Sequence, residues 1–190
     1  HPSLGAAVAI GTVIASEAPD FDYINRIKGN AAYLKRHRGY THSIPAWFIW
    51  PTLITLGIMA FLPHIPWMTV WLWCFAAVLI HVALDAMNTF GTQALLPFSD
   101  KRLSEDVLMV FDPIMFVTQL TGVVLWWGGF FAPGPLFAAI DGLTIVYIAV
   151  RMAIYRRLHK RLRSMFGHPH GCRFSVMPTL RFNRWLAVVE

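Results

Sequence analysis

Four short clusters in this sequence carry side chains capable of chemistry. His81 and Asp85 stand four apart in an apolar run, so on a helix they share one face and can aim at one centre. A polar turn, Asn88-Thr89-Phe90-Gly91-Thr92, follows them. Either the pair binds a metal or its members satisfy each other between helices. Ionisable residues inside apolar spans are costly, which makes function the default expectation. Asp20 and Asp22 form an Asp-x-Asp behind Pro19, placing two carboxylates in a turn, with a helix stop and solvated acids as the alternative. His37 and His42 flank Arg38, Gly39 and Thr41. Two imidazoles in such a loop can converge on one ion, or belong to a basic patch in which Thr41 or Ser43 caps the next helix. Arg38 suits a phosphate or a lipid head group. Asp112, just before Pro113, is a ligand, an acceptor for a ligating imidazole, or an N-cap.

A mixed histidine and carboxylate set suits zinc, manganese or iron, and without thiolates a closed structural zinc site is not expected. His64, His159, His168 and His170 read as solvated. Cys74 and Cys172 form no CxxC or disulfide framework, which fits a reducing environment.

The elements that must position these groups follow from composition. Of 190 residues 56% are apolar and 14% charged, and mean hydropathy is +0.52. A soluble domain carries about a quarter charged residues. Five apolar runs stand out: Leu4–Ala18, Ile44–Leu62, Trp67–Leu84, Ile114–Phe131 and Leu136–Val150, the last holding Asp141. The first is rich in small residues (Gly5, Ala6, Ala7, Gly11) suited to close helix packing. The pattern predicts an all-α, polytopic bundle of about five transmembrane helices over residues 1–155, with a basic tail over 156–190. All 16 Lys and Arg fall in three stretches, 19–43, 85–113 and from Arg151 onward, and none in the loops Pro63–Pro66 and Ala132–Pro135. Five alternating helices put the three stretches on one side, and the positive-inside rule makes that side the cytoplasm. The net charge of +6 therefore reports topology and anionic lipid before nucleic acid.

The strings Ala18–Asp22, His37–Ser43, His81–Asp85 with Asn88–Thr92, Pro97-Phe98-Ser99 and Phe111-Asp112-Pro113 resemble, in order, the bacterial membrane-bound metal-dependent hydrolase family typified by YdjM and YfhP. That family is itself distantly similar to zinc-dependent phospholipases C. The resemblance covers most of residues 1–150 and implies Asp20, one or both of His37 and His42, and the His81/Asp85 pair as metal ligands. Two departures stand out. The family opens with a Thr-His segment on an earlier helix, and the phospholipases carry a further histidine where Thr89 and Gly91 stand here. The chain accordingly reads as a fragment lacking a first helix and a C-terminal cytoplasmic portion.

The expected activity is metal-assisted hydrolysis at the cytoplasmic face of a bacterial inner membrane, on a phospholipid or lipid-linked phosphate. Asp22 or Asp112 would accept a proton, and Arg38 with Lys35 would neutralise phosphate. The competing expectations are a regulator or scaffold with a structural cluster, its basic tail docking a protein or anionic lipid, and a transporter using His81 and Asp85 as a proton relay.

Overall fold

The computed structural model describes residues 2–29, 37–166, 174–182 and 184–189. They form two compact units, His1–Ser104 and Glu105–Glu190.

In the first unit, helix α1 (Pro2–Glu17) runs into a 3-10 segment, Ala18–Lys28. Pro19 sits in the first turn of that segment. Lacking an N–H, it cannot continue the α-helical ladder, so the chain tightens there. Gly29, at φ 96°, ends the segment in a conformation that side chains rarely adopt. A second 3-10 turn, Tyr40–His42, leads through Ser43 into α2 (Ile44–Phe61), which opens with Pro45 in its first turn. A short loop joins α2 to α3 (Trp67–Ala86). Beyond α3 the chain turns at Gly91 (φ 59°), and Thr92 and Leu103 exchange backbone hydrogen bonds of 2.8 Å in each direction. A Cβ at residue 91 would collide with the Leu103 carbonyl oxygen, so this close approach requires glycine.

Small side chains bring α1 onto α3. Ala7, Gly11 and Ala15, spaced by four, are buried, whereas Gly5 and Ala6 are exposed. A Cβ on Gly11 would lie 3.0 Å from both Cys74 Sγ and Ile58 Cδ1. Val70, Cys74, Ala77, Val78 and Val82 supply the α3 side of the core.

In the second unit α4 (Pro113–Trp127) and α5 (Pro133–Phe166) form an antiparallel pair. Their contacts run in reverse order: Trp126 on Phe137, Gly122 on Ile140, then a 3.0 Å hydrogen bond from Gln119 Nε2 to Thr144 Oγ1. α5 does not stop near Val150. Its 34 residues span about 51 Å, well beyond a hydrocarbon core of about 30 Å. Arg156, Arg157, Lys160, Arg161 and Arg163 are good helix formers, and no Gly or Pro intervenes to end the helix. The tail is not wholly irregular or helical either. Strands β1 (Phe174–Pro178) and β2 (Trp185–Val189) pair antiparallel, Val176 opposite Ala187, and Arg151 of α5 lies over the Trp185 ring at 4.3 Å.

Four helical stretches, Ser3–Ile27, Ile44–Phe61, Trp67–Ala86 and Pro133–Met165, are long and apolar enough to cross a membrane. α4, at 15 residues, reaches about 22 Å and is the shortest of the five apolar helices. Large apolar side chains such as Leu56, Leu72, Ile80, Val117, Leu143 and Val146 are exposed around these helices. Helices apolar on their outer faces have lipid as their solvent. The chain is a mostly helical membrane protein.

Candidate metal centre

Three elements of the first unit deliver two histidines and two aspartates to one point. The 3-10 segment after Pro19 presents Asp20, the Tyr40–His42 turn presents His42, and the last turns of α3 present His81 and Asp85. Their ligand atoms all lie within 4.8 Å of one another. His42 Nε2 is 3.1 Å from Asp85 Oδ2 and 3.6 Å from Asp20 Oδ1. His81 Nε2 is 3.4 Å from Asp85 Oδ2 and 3.7 Å from Asp20 Oδ1.

These separations test whether the donors fit an ion. The four imidazole–carboxylate separations run from 3.1 to 3.7 Å, and a tetrahedron with edges of that length puts its corners about 1.9 to 2.3 Å from the centre, which brackets zinc–nitrogen and zinc–carboxylate lengths. Contacts of 3.6 and 3.7 Å are too long for hydrogen bonds but suit neighbouring ligands. Asp20 Oδ1 and His81 Nε2 are moreover buried without a hydrogen-bond partner. A cation between the four atoms satisfies both. The donor set fits a divalent metal.

A surrounding layer of hydrogen bonds aims these ligands. Asp85 keeps Oδ2 toward the histidines because Oδ1 is taken by Arg38 Nη2 at 2.9 Å and Asn88 Nδ2 at 3.3 Å. Arg38 Nη1 donates to Asn88 Oδ1 at 2.7 Å, closing the ring. Asn88 Oδ1 also accepts from the backbone N–H of Phe90 and Gly91, at 3.0 and 3.2 Å. Arg38 adopts φ 59°, held by its N–H donating to Asp22 Oδ2 (2.7 Å) and its carbonyl accepting from Gln93 N (2.9 Å) and Thr92 Oγ1 (3.2 Å). His42, fully buried, has Nδ1 3.1 Å from Thr41 Oγ1, and that hydroxyl donates to Asp22 Oδ2 at 3.2 Å. With Nε2 facing a metal, Nδ1 would carry the proton and donate to Thr41. The chain His42–Thr41–Asp22 then fixes the tautomer, as carboxylates do behind metal-bound histidines. Trp47 Nε1 donates to the His42 carbonyl at 2.8 Å and steadies the turn.

The other expected site residues stand elsewhere. His37 Nδ1 is 2.9 Å from Asp22 Oδ1, a hydrogen-bond distance, and these two form a separate group that shares Asp20. Asp22 is buried and engaged at both oxygens by His37, Arg38 and Thr41. It clamps the 37–41 loop. Arg38 faces Asp85 and Asn88 with a buried guanidinium, where an open phosphate site was expected. Asp112 is the N-cap of α4: Oδ1 accepts from Ile114 N and Met115 N at 3.1 and 3.2 Å, and Oδ2 from the Tyr147 hydroxyl at 2.8 Å. His159 stacks on Tyr155, ring centroids 5.8 Å apart, and is half-buried where a solvated histidine was expected. Lys35, His168, His170 and Cys172 lie outside the described residues. Sequence reasoning gave no role at the metal site to Asn88, and offered Thr41 only as a helix cap. The Asp-x-x-Asn spacing and the hydroxyl next to His42 were the available signals.

Comparison with known proteins agrees with this architecture. A family model described as YdjM inner membrane protein matches residues 1–158. The Bacillus subtilis (strain 168) protein described as uncharacterized protein YfhP is 35% identical over 188 residues, 99% of this chain and 57% of that protein. The chain thus spans a little over half the length of this curated relative. No solved structure matches it significantly. With the family match covering residues 1–158 and reaching into α5, this chain belongs to the YdjM family of inner membrane proteins.

Proposed function

We propose that Asp20, His42, His81 and Asp85 bind one divalent cation, most simply zinc, and that the protein hydrolyses a phosphoester of a membrane lipid at the cytoplasmic face of the bacterial inner membrane. The observation that carries this is the four-atom cluster, all within 4.8 Å of one another with imidazole–carboxylate separations of 3.1 to 3.7 Å, and its two buried, unpartnered ligand atoms. A bound divalent metal supplies a Lewis acid that makes water a usable nucleophile near neutral pH and polarises a phosphoryl oxygen. Asp20 is the most accessible of the four, its side chain 41% exposed, which makes it the ligand best placed to shift as substrate arrives. Arg38 and Asn88 hold Asp85, and Thr41 holds His42. The cytoplasmic assignment rests on the segregation of basic residues. Cysteines replacing His64 and Pro133 label from outside intact cells, and one replacing Asn25 does not; the reverse pattern moves the site to the other compartment.

A second reading draws on the same geometry. Four protein donors complete a tetrahedron, the closed arrangement of structural zinc sites. In that case the metal holds α1 to α3, and the protein is a scaffold or regulator. Full-length protein is purified, its metal content determined, and its coordination number read by X-ray absorption. It is then assayed with zinc or manganese on phospholipids and lipid phosphates. The hydrolase reading expects a fifth donor from solvent, turnover, and loss of turnover with a retained fold in His81→Ala and Asp85→Asn. Four-coordinate metal, no turnover, and a fold lost with either ligand establish the scaffold.

A further inference from the structure

We propose that the groove between α1 and α2 holds an acyl chain of the lipid whose phosphoester is presented to the Asp20–His42–His81–Asp85 cluster, so that substrate enters sideways from the bilayer. This rests on the hydrolase reading and adds how the substrate is held. α1 and α2 each pack chiefly against α3 and less against each other. Between them lies a groove of about 530 Å³ walled by Val13, Ile14, Ala18, Phe21, Trp50 and Leu53. Both walls belong to stretches apolar enough to cross a membrane, Ser3–Ile27 and Ile44–Phe61. Val13, Ile14, Phe21 and Leu53 are exposed, which leaves the groove open along its flank to the surrounding hydrocarbon.

One end of the groove is built from neighbours of the cluster. Ala18 and Phe21 both line it, and between them in the chain stand Pro19 and the ligand Asp20. Trp50 joins the wall to the second ligand. Its ring meets Phe21 edge-on at 6.2 Å, and its Nε1 donates at 3.1 Å to the carbonyl of Thr41, the residue next to His42. A hydrocarbon wall that ends one residue from a carboxylate–imidazole cluster matches a molecule with a long apolar tail and a polar ester at its head. Water-soluble phosphoesters have no use for such a wall. Glu17 is the one charged residue among the lining groups, and the rest are apolar or aromatic.

The test uses full-length, metal-loaded protein in nanodiscs of dioleoyl phosphatidylethanolamine and phosphatidylglycerol. Hydrolysis of these lipids is compared with that of their deacylated glycerophosphodiesters. Leu53→Trp fills the groove and is expected to lower the ratio of kcat/KM for lipid over deacylated substrate at least tenfold. Leu56→Trp, exposed on the same helix outside the groove, leaves that ratio unchanged. Equal ratios in the two variants overturn the proposal. A second arm needs no turnover: phospholipid carrying a diazirine midway along one chain is photolysed in the nanodisc and the adducts mapped. Adducts concentrated on Val13, Ile14 and Leu53 support the groove. Adducts spread evenly over lipid-facing residues such as Ile145 and Val146 overturn it. If the groove cross-links but nothing is hydrolysed, the hydrolase reading fails while the lipid site stands.

Discussion

Replacing Thr41 with valine removes one hydroxyl and leaves shape and charge nearly unchanged. In the metal-bound state His42 presents Nε2 to the ion, so Nδ1 must carry the proton, and its acceptor is Thr41 Oγ1 at 3.1 Å. His42 is fully buried, and no water can replace the lost acceptor. A buried donor left unpaired costs about 1–3 kcal/mol. That cost falls on the metal-bound form, because without metal the imidazole is free to move its proton to Nε2, facing Asp85 Oδ2 at 3.1 Å. Asp22 loses its 3.2 Å bond from Thr41 but keeps those from His37 and the Arg38 N–H, so the loop stays clamped. The expected result is a dissociation constant for zinc raised about 10- to 100-fold, the range typical for groups behind a metal-ligating histidine, with little change in metal-free stability. Thr41→Ser retains the hydroxyl and binds zinc within a few fold of wild type. Competition against a chromogenic chelator in detergent measures both. If Thr41→Val binds as tightly as wild type, or the serine variant is as weak as the valine, His42 is not held through Thr41 and the ligand assignment fails.

Other perturbations report on neighbouring parts of the site. Arg38→Met leaves Asp85 buried without its cation, so metal-free protein loses about 3–5 kcal/mol of stability in a denaturation series, and added zinc recovers much of it by occupying the uncompensated carboxylates; an unchanged metal-free midpoint refutes the Arg38–Asp85 account. Gly11→Leu forces a side chain against Cys74 Sγ and Ile58 Cδ1, where even a Cβ has 3.0 Å, and costs about 1–3 kcal/mol; Gly5→Leu, with open space around it, costs little in the same assay. Acidification releases metal, because His42 and His81 bind it only when deprotonated at Nε2 and protons compete for that atom. Affinity therefore falls as pH falls, and a pH-independent dissociation constant excludes imidazole ligation.

Much of the helical framework was legible because its cause is local. A bilayer leaves no solvent for backbone N–H and C=O groups, so an uncharged apolar run long enough to cross it must be helical. The runs at Ile44–Leu62 and Trp67–Leu84 and the observed helices Ile44–Phe61 and Trp67–Ala86 agree within two residues at each end. The pairing of His81 with Asp85 was equally local, since i, i+4 spacing on a helix fixes a shared face. The presence of Asp20 and His42 beside them was arguable from the common side of their helix ends.

Other features depended on residues distant in the chain, which no local pattern identifies. Arg38 suits a phosphate by its chemistry, yet Asn88, 50 residues away, takes its guanidinium, because the turn after α3 is pinned across the left-handed backbone at Arg38. Asp20 and Asp22 are two residues apart and look alike in sequence. The 3-10 geometry set by Pro19 turns one into the loop at 37–41 and the other toward His42 and His81. The hairpin at Phe174–Val189 was hidden in a basic tail, because strand pairing is a contact between two segments and each is only five residues long. Sequence by itself determined where the membrane helices lie and which residue types gather at their ends. Tertiary structure alone decided which oxygen or nitrogen faces which partner, because a hydrogen bond or a metal edge is won or lost within a few tenths of an ångström.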